Sequence, residues 1–162
     1  MTKTLVAYFS ASGETARLSQ TLAKAAQADL FAIEPAQPYT TADLNWNNAA
    51  SRSSVEMNNP ASRPAIARRV DNMAQYDTVL IGFPIWWYQA PRIIETFLNA
   101  YDFSGKTVIP FATSGGSGLG KTETILKAAC STQTQWKPGM VFSSRASALT
   151  LSDWLHSLKQ NG

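Results

Sequence analysis

A glycine-rich stretch, SGGSGLGKT at residues 114–122, is the first place where residue types and spacing suggest chemistry. From Gly115 to Thr122 it fits the pattern G-x-x-x-x-G-K-[ST], in which backbone amides cradle nucleotide phosphates and a lysine reaches them. A nucleoside triphosphatase of this kind also needs an acidic residue near a strand end to hold Mg²⁺. The neighbouring apolar strand ends instead at Phe83-Pro84. We therefore interpret the glycines as allowing close backbone approach to a different ligand, with Lys121 in solvent.

A second candidate site lies near the amino terminus, where SASGET follows the apolar run TLVAYF. Amides at the start of a helix carry partial positive charge, and the hydroxyls of Ser10, Ser12 and Thr15 add hydrogen-bond donors. Gly13 permits a tight turn around an anion. Because the loop holds no lysine or arginine, it suits a monophosphate held by neutral donors. The alternative is a serine-rich turn that only caps the helix.

Alternating strands and helices must position these loops. Because the strands lack polar alternation, they predict a parallel sheet covered by helices on both faces. Five strand–helix units indicate an α/β fold, a three-layer, doubly wound, five-stranded parallel sheet, whose ligands bind beyond the carboxyl ends of the strands. The loops at residues 10–15, 84–90 and 114–120 would then share one edge. Strands are predicted at residues 4–9, 30–33, 78–83, 107–112 and 140–142, and helices at 14–26, 65–76, 91–98, 119–129 and, opened by a Thr150–Asp153 capping box, 150–158.

Length and composition indicate one compact domain over residues 1–162, with 44% hydrophobic and 15% charged residues. Residues 35–64 form a polar excursion, anchored by Tyr39, Trp46 and Met57, that we expect to pack over the domain near the ligand. The first apolar run is too short for a signal peptide or a membrane span, so we expect a cytoplasmic protein without a membrane partner. A net charge of +3 without a dense basic cluster disfavours nucleic acid.

Two reactive side chains receive no catalytic role. The single cysteine, Cys130, excludes an intrachain disulfide and a cysteine-based metal site, and we interpret it as an inert small residue. His156 lies in the last predicted helix, far in sequence from every loop named above, and is expected in solvent. No catalytic residue and no metal ligand are therefore assigned.

Three segments, taken together, resemble the flavin loops of the flavodoxins, which bind FMN. S-x-S-G-x-T at residues 10–15 resembles the phosphate loop, GFPIWWYQAP at 82–91 the second flavin loop, and TSGGSG at 113–118 the third. The resemblance implies a flavodoxin-like sheet of order 2-1-3-4-5 with FMN as cofactor. It assigns the phosphate to Ser10, Ser12, Gly13, Glu14, Thr15 and Ala16, the wall of the flavin ring to Pro84, Ile85, Trp86, Trp87 and Tyr88, and the polar edge of the ring to Thr113, Ser114, Gly115, Gly116 and Gly118.

The function implied by this resemblance is that of an FMN-binding redox protein, either an electron carrier or a flavin-dependent oxidoreductase. Its partner would be a redox protein or a small-molecule electron acceptor. Electron-carrying flavodoxins are typically acidic, whereas this chain is basic, and its third loop lacks the aromatic residue that commonly stacks on the outer flavin face. Tyr39, Trp46 or a partner would have to fill that place, and core packing is the alternative for Trp86 or Trp87. An NAD(P)H-dependent quinone-type reductase and a non-catalytic flavodoxin-like binding module are the competing interpretations.

Overall fold

The computed structural model describes residues 3–114 and 118–160. Strands and helices alternate along most of the chain, and a short 3₁₀ turn spans Met73–Gln75. The strands are β1 (Thr4–Tyr8), β2 (Asp29–Ala32), β3 (Thr78–Pro84), β4 (Thr107–Thr113), β5 (Gln135–Trp136) and β6 (Met140–Phe142), and the helices are α1 (Glu14–Ala26), α2 (Arg52–Met57), α3 (Arg92–Asn99), α4 (Thr122–Ala128) and α5 (Ala148–Gln160).

The strands form one parallel sheet of order β2-β1-β3-β4-β5, and β6 also pairs with β4. β5 lies beside Thr107 and Val108, whereas β6 lies beside Phe111–Thr113, so two short segments share the fifth position of the sheet. This topology confirms the predicted doubly wound fold and its strand order.

A proline in β4 explains why the fifth position is divided. The carbonyl oxygen of Val108 accepts a hydrogen bond from the amide of Lys137, so this side of β4 faces the fifth position. Pro110 lies two residues further on and faces the same side, but it has no N–H to donate. The chain turns away between β5 and β6, where a Cβ at Gly139 would lie 2.6 Å from the carbonyl oxygen of Pro110.

Apolar side chains cover both faces of the sheet, which is why its strands show no polar alternation. Successive residues of β1 point to opposite faces, so Leu5 and Ala7 join one core and Val6 the other. α3 and α4 cover the first face through Ile93, Ile94, Phe97, Leu98 and Leu126, and α1 and α5 cover the second through Leu18, Leu22, Leu151, Trp154 and Leu158.

The predicted helix at residues 65–76 is wrong. Ile66 forms an antiparallel bridge with Pro35, because the Ala36 amide donates to the Ala65 carbonyl and the Ala67 amide donates to Glu34. These bonds hold residues 65–67 in an extended conformation, and only Met73–Gln75 is helical. Helical composition was therefore overridden by pairing with a distant segment.

The last helix begins earlier than its predicted capping box. α5 starts at Ala148, and the side chain of Ser147 accepts a hydrogen bond from the amide of Thr150 at 3.2 Å. Ser147 therefore caps the helix, and Thr150 lies inside its first turn. Over residues 3–114 and 118–160, no helix is long and apolar enough to cross a membrane.

Candidate functional site

Three contacts bring the predicted loops together at the carboxyl edge of the sheet. The hydroxyl oxygens of Thr15 and Thr113 lie 2.8 Å apart, which joins the first loop to the third. The amide of Ile85 donates to the carbonyl oxygen of Thr113 at 3.0 Å, which joins the second loop to the third. The ring of Trp86 meets Phe9 edge to face, with centroids 5.8 Å apart. One continuous surface therefore carries all three segments.

The first loop presents hydrogen-bond donors around the start of α1. Ser10 Oγ accepts from the amides of Gly13 and Ala16, each at 3.1 Å, and its own hydrogen is left to donate. Gly13 precedes the helix in the left-handed region, with φ of 92°. Among the described residues, the amides of Glu14 and Thr15 have no acceptor. The side chain of Glu14 is exposed.

This donor set fits a phosphate monoester. Phosphate oxygens only accept hydrogen bonds at neutral pH, and the loop offers amides and hydroxyls backed by the dipole of a 13-residue helix. A Cβ built on Gly13 would meet no atom within 4 Å, so the loop opens to solvent at that point. No lysine or arginine lies among residues 10–16. The groups present therefore match the phosphate of FMN.

The second loop is a strained hairpin that exposes two aromatic side chains. Trp86 and Gln89 exchange backbone hydrogen bonds of 2.8 and 3.0 Å, which closes a two-residue turn over Trp87 and Tyr88. Their φ angles are 49° and 63°, a conformation that turns of this type usually give to glycine or asparagine. Trp87 and Tyr88 are 43% and 64% exposed. Backbone strain of this kind is found at ligand sites, where surrounding contacts maintain it.

The third loop packs against the backbone of this hairpin at Tyr88. Gly120 has φ of 57°, and a Cβ there would lie 2.8 Å from the carbonyl oxygen of Tyr88. The hydroxyl of Thr122 donates to the carbonyl oxygens of Leu119 and Tyr88. The threonine of the G-x-x-x-x-G-K-[ST] motif therefore binds backbone carbonyl groups, and Lys121 is exposed. Both observations support the interpretation that this segment is not the phosphate-binding loop of a nucleoside triphosphatase.

The remaining third-loop residues are only partly described. Thr113 is buried, Ser114 is half-buried and Gly118 is exposed. Gly115 and Gly116, which the resemblance assigns to the polar edge of the flavin, lie outside the described residues.

The two neighbouring tryptophans have different environments. Trp86 is half-buried and packs edge to face on Phe9 and on Tyr39, whose ring centroid lies 5.6 Å away. Tyr39 is covered in turn by the guanidinium of Arg52, 3.8 Å from its ring centroid. Core packing, the alternative considered for one of the two tryptophans, therefore applies to Trp86. Tyr39 is equally enclosed, which leaves Trp46, at 69% exposed, as the excursion's free aromatic ring.

The hydroxyl of Tyr39 connects two parts of the excursion, because it donates to the carboxylate of Glu56 in α2. Burial, followed by the hydrogen bond to the Glu56 carboxylate, raises the pKa of Tyr39 well above its usual range. The phenol consequently stays protonated and acts as a structural donor. The excursion meets the end of β1 through the ring of Tyr39, whose centroid lies 5.6 Å from that of Phe9.

A buried arginine that the sequence analysis missed connects the excursion to the hairpin. Arg92 is 4% exposed. Its guanidinium donates to the carbonyl oxygens of Glu56 and Met57, at 3.3 and 2.8 Å. It also donates to Gln89 Oε1 at 3.2 Å and Glu95 Oε1 at 3.1 Å. The available signal was an arginine and a glutamate three residues apart in a helix whose other residues are mostly apolar.

A cavity of about 320 Å³ lies between the two segments that Arg92 connects. It is lined by Trp46, Asn47, Asn58, Trp87 and Gln89, among others. A larger cavity, of about 790 Å³, lies at the opposite edge of the sheet, beside the amino ends of the strands. Ligands of doubly wound sheets bind at the carboxyl ends, so the smaller cavity is the one that adjoins the candidate site.

Neither Cys130 nor His156, to which the sequence analysis assigned no catalytic role, lies in the candidate site. His156 is exposed on α5 and borders the cavity at the opposite edge. Burial raises the pKa of the half-buried Cys130 thiol to about 11, which keeps it protonated and unreactive at neutral pH. No group of three potential metal ligands of the His, Cys, Asp or Glu type occurs in the part of the chain that the structure describes.

A parallel sheet of order 2-1-3-4-5, with an anion loop after β1 and an aromatic hairpin after β3, defines the flavodoxin-like class of α/β proteins. A family model described as flavodoxin matches residues 3–158, and the chain belongs to this family. Comparison with curated proteins gave no match.

Solved structures agree with the family assignment. A candidate flavoprotein from Bacteroides eggerthii DSM 20697 is 51% identical over 98% of this chain and 99% of its own, with a TM-score of 0.92. One from Bacteroides uniformis ATCC 8492 is 49% identical over 96% and 98%, with a TM-score of 0.90. A flavoprotein in complex with FMN, from Lactobacillus acidophilus NCFM, is 21% identical over 87% and 93%, with a TM-score of 0.69, and shares the fold.

Proposed function

We propose that this protein is a cytoplasmic FMN-binding redox protein that passes electrons from a donor to an acceptor. The observation that carries the proposal is the meeting of three loops at one edge, where the amides of Glu14 and Thr15 have no acceptor among the described residues and the side chains of Trp87 and Tyr88 are exposed. A flavin would supply reversible electron transfer, which the described side chains at this edge do not provide. The FMN complex of the Lactobacillus acidophilus flavoprotein, which has the same fold, adds support.

The residues of the first loop would hold the phosphate. The amides of Glu14 and Thr15 and the hydroxyls of Ser10 and Ser12 would donate to its oxygens. With no basic side chain among residues 10–16, the dipole of α1 would balance part of the negative charge. This arrangement favours a singly esterified phosphate over a triphosphate, which needs Mg²⁺ and lysine.

The hairpin residues would border the flavin ring. Trp87 and Tyr88 would exclude water from it, and Pro84 and Ile85 would support them at the end of β3. The hydrogen bond from the amide of Ile85 to Thr113 would keep this wall in register with the third loop. An apolar wall favours neutral forms of the ring over charged ones, because it offers a charge no solvation.

The cavity beside the hairpin favours an oxidoreductase with a small-molecule acceptor over a pure electron carrier. A carrier needs only an accessible flavin edge, whereas this chain forms a cavity of about 320 Å³ with Trp46 and Trp87 in its walls. Pockets for small molecules begin at about this size. The net charge of +3 also differs from the acidic surface of typical flavodoxins. An NAD(P)H-dependent quinone-type reductase is therefore the specific form that we propose.

An FMN titration tests the cofactor. We expect the purified protein to be yellow, or to take up FMN with quenching of the flavin fluorescence. Ser12→Glu places a carboxylate in the anion loop and should weaken FMN binding about a hundredfold through like-charge repulsion. Gln20→Glu is the matched control, because it adds the same charge at an exposed position of α1. The proposal is contradicted if the wild-type protein does not bind FMN, which is the result expected of a non-catalytic module. It is also contradicted if both variants bind FMN with equal affinity.

Turnover distinguishes the reductase from the carrier. With FMN bound, NAD(P)H oxidation should require an added quinone and should cease when the quinone is exhausted. A carrier would instead exchange electrons with a redox partner protein and show no steady oxidation of NAD(P)H by quinones.

A further inference from the structure

The cavity between the excursion and the hairpin has polar but uncharged walls. Its described lining contains two indole rings, three amide side chains and a serine, and no acidic or basic group. A charged ligand would lose hydration there without gaining a counter-ion, which is costly. The lining therefore selects a neutral ligand.

Gln89 determines which polar group the cavity offers. Arg92 Nη1 donates to Gln89 Oε1 at 3.2 Å, and a guanidinium has no acceptor with which to bind the other end of the amide. The amide oxygen is therefore held by Arg92, and the two N–H bonds of Gln89 Nε2 are left to donate into the cavity that this side chain lines. A ligand that matches Gln89 must bring a hydrogen-bond acceptor.

The two tryptophans determine the shape of the ligand. Trp46 is 69% exposed and makes no ring contact among the described residues, although burying an indole is favourable. Trp87 is held outward by its strained turn and lines the same cavity. Two exposed indoles around one cavity provide flat apolar surfaces suited to a planar ring.

We infer that this cavity binds a neutral, planar aromatic molecule that carries carbonyl oxygens, the chemistry of a quinone. The ring contacts Trp46 and Trp87, and a carbonyl oxygen accepts from the Gln89 amide. The side-chain amides of Asn47 and Asn58, which have no hydrogen-bond partner in the described part of the chain, supply further donors. The role of this ligand as electron acceptor rests on the proposed function, whereas its binding depends on the cavity alone.

Calorimetric titration with 1,4-naphthoquinone tests the inference on the FMN-loaded protein and on the protein without FMN. Trp46→Ala should weaken naphthoquinone binding about tenfold, because one aromatic wall is lost. Val55→Ala is the matched control: Val55 is also exposed and apolar in the excursion, but it does not line the cavity. Trp46→Phe, which keeps an aromatic ring, should restore most of the affinity.

The ligand's own chemistry supplies the second comparison. Naphthalene, which lacks carbonyl oxygens, and 1,4-naphthoquinone-2-sulfonate, which carries a charge, should both bind more weakly than 1,4-naphthoquinone. Gln89→Met should weaken naphthoquinone binding and leave naphthalene binding unchanged. The inference is overturned if neither Trp46→Ala nor Gln89→Met changes the affinity for 1,4-naphthoquinone. It is also overturned if the sulfonate binds more tightly than 1,4-naphthoquinone.

The outcomes separate this inference from the proposed function. If FMN binds but naphthoquinone affinity is the same in wild type, Trp46→Ala and Val55→Ala, the cavity assignment fails and the flavin proposal survives. If FMN does not bind but naphthoquinone binding still depends on Trp46, the cavity assignment survives and the flavin proposal fails.

Discussion

Replacing Arg92 with methionine should release the excursion from the hairpin while leaving the sheet intact. The guanidinium of Arg92 is buried and binds both segments at once, through the carbonyl oxygens at the end of α2 and the side chain of Gln89. Methionine has a similar length and can fill the apolar part of the site, but it donates no hydrogen bond. The substitution therefore removes the connection without creating a large cavity.

The expected cost follows from the contacts that are lost. Four hydrogen bonds disappear, at 2.8, 3.1, 3.2 and 3.3 Å. Removing one partner from a buried charged network costs about 3–5 kcal/mol. Glu95 retains its ion pair with Arg63, at 3.1 Å, so it is not left as an isolated charge. We therefore expect a loss of about 3 kcal/mol, the lower end of that range.

Most of this loss should fall on the excursion. α2 has six residues, too few for a helix to be stable without tertiary contacts. In hydrogen exchange, the amides of Val55 and Asn58, which donate within this segment, should lose protection in Arg92→Met, whereas amides of β3 should keep theirs. The affinity for FMN phosphate should change little, because the first loop does not contact Arg92, but binding in the cavity should weaken.

Urea denaturation, followed by circular dichroism and tryptophan fluorescence, measures the total effect. Arg145→Met is the matched control: Arg145 is exposed, its side chain has no hydrogen bond in the described residues, and its loss should change the free energy of unfolding by less than about 0.5 kcal/mol. If Arg92→Met is as stable as this control and α2 stays protected, Arg92 does not hold the two segments together.

Three further predictions concern other parts of the molecule. Gly120→Ala should weaken FMN binding in a fluorescence titration, because its Cβ would press on the Tyr88 carbonyl oxygen, 2.8 Å away, and displace the hairpin. The hydrogen bond from Tyr76 outweighs desolvation and lowers the pKa of Asp29. The stabilisation that this carboxylate provides is therefore complete above its unfolded pKa of about 4 and is lost as the pH falls through the lower folded value. Tyr76→Phe should consequently flatten the acid side of the profile of Tm against pH, and an unchanged profile contradicts the assignment. Because burial raises the pKa of Cys130 to about 11, alkylation by iodoacetamide should be slow at pH 8 and accelerate toward pH 11, whereas rapid alkylation at pH 8 would show an accessible thiolate.

Several parts of the fold could be predicted because they depend on short stretches of chain. Apolar runs such as TLVAYF specify buried parallel strands, since every side chain in them must be covered. The order of strands and helices then limits the topology, and the structure confirms it. The serines and Gly13 after β1 predict an anion loop locally, and in the described part of the structure the amides of Glu14 and Thr15 have no acceptor. Its occupant remains a prediction.

Features that involve distant residues could not be predicted in the same way. Trp86 and Trp87 are identical and adjacent in sequence, yet Trp86 packs on Phe9 and Trp87 is exposed. The backbone changes direction between them, because Trp87 takes the first of the two positive φ angles of the turn. The residues at 65–67 became extended only because the chain at 34–36 lies beside them.

By itself, the sequence determined the positions of five strands and of the donors after β1, but it did not reveal the two-residue strand β5. Only the tertiary structure decided that Arg92 would unite the excursion with the hairpin, and that Trp46 and Trp87 would face one cavity. The physical reason is distance along the chain. Periodicity and turn chemistry act over a few residues, whereas Arg92 and Met57 are 35 residues apart and meet only when the whole domain is folded.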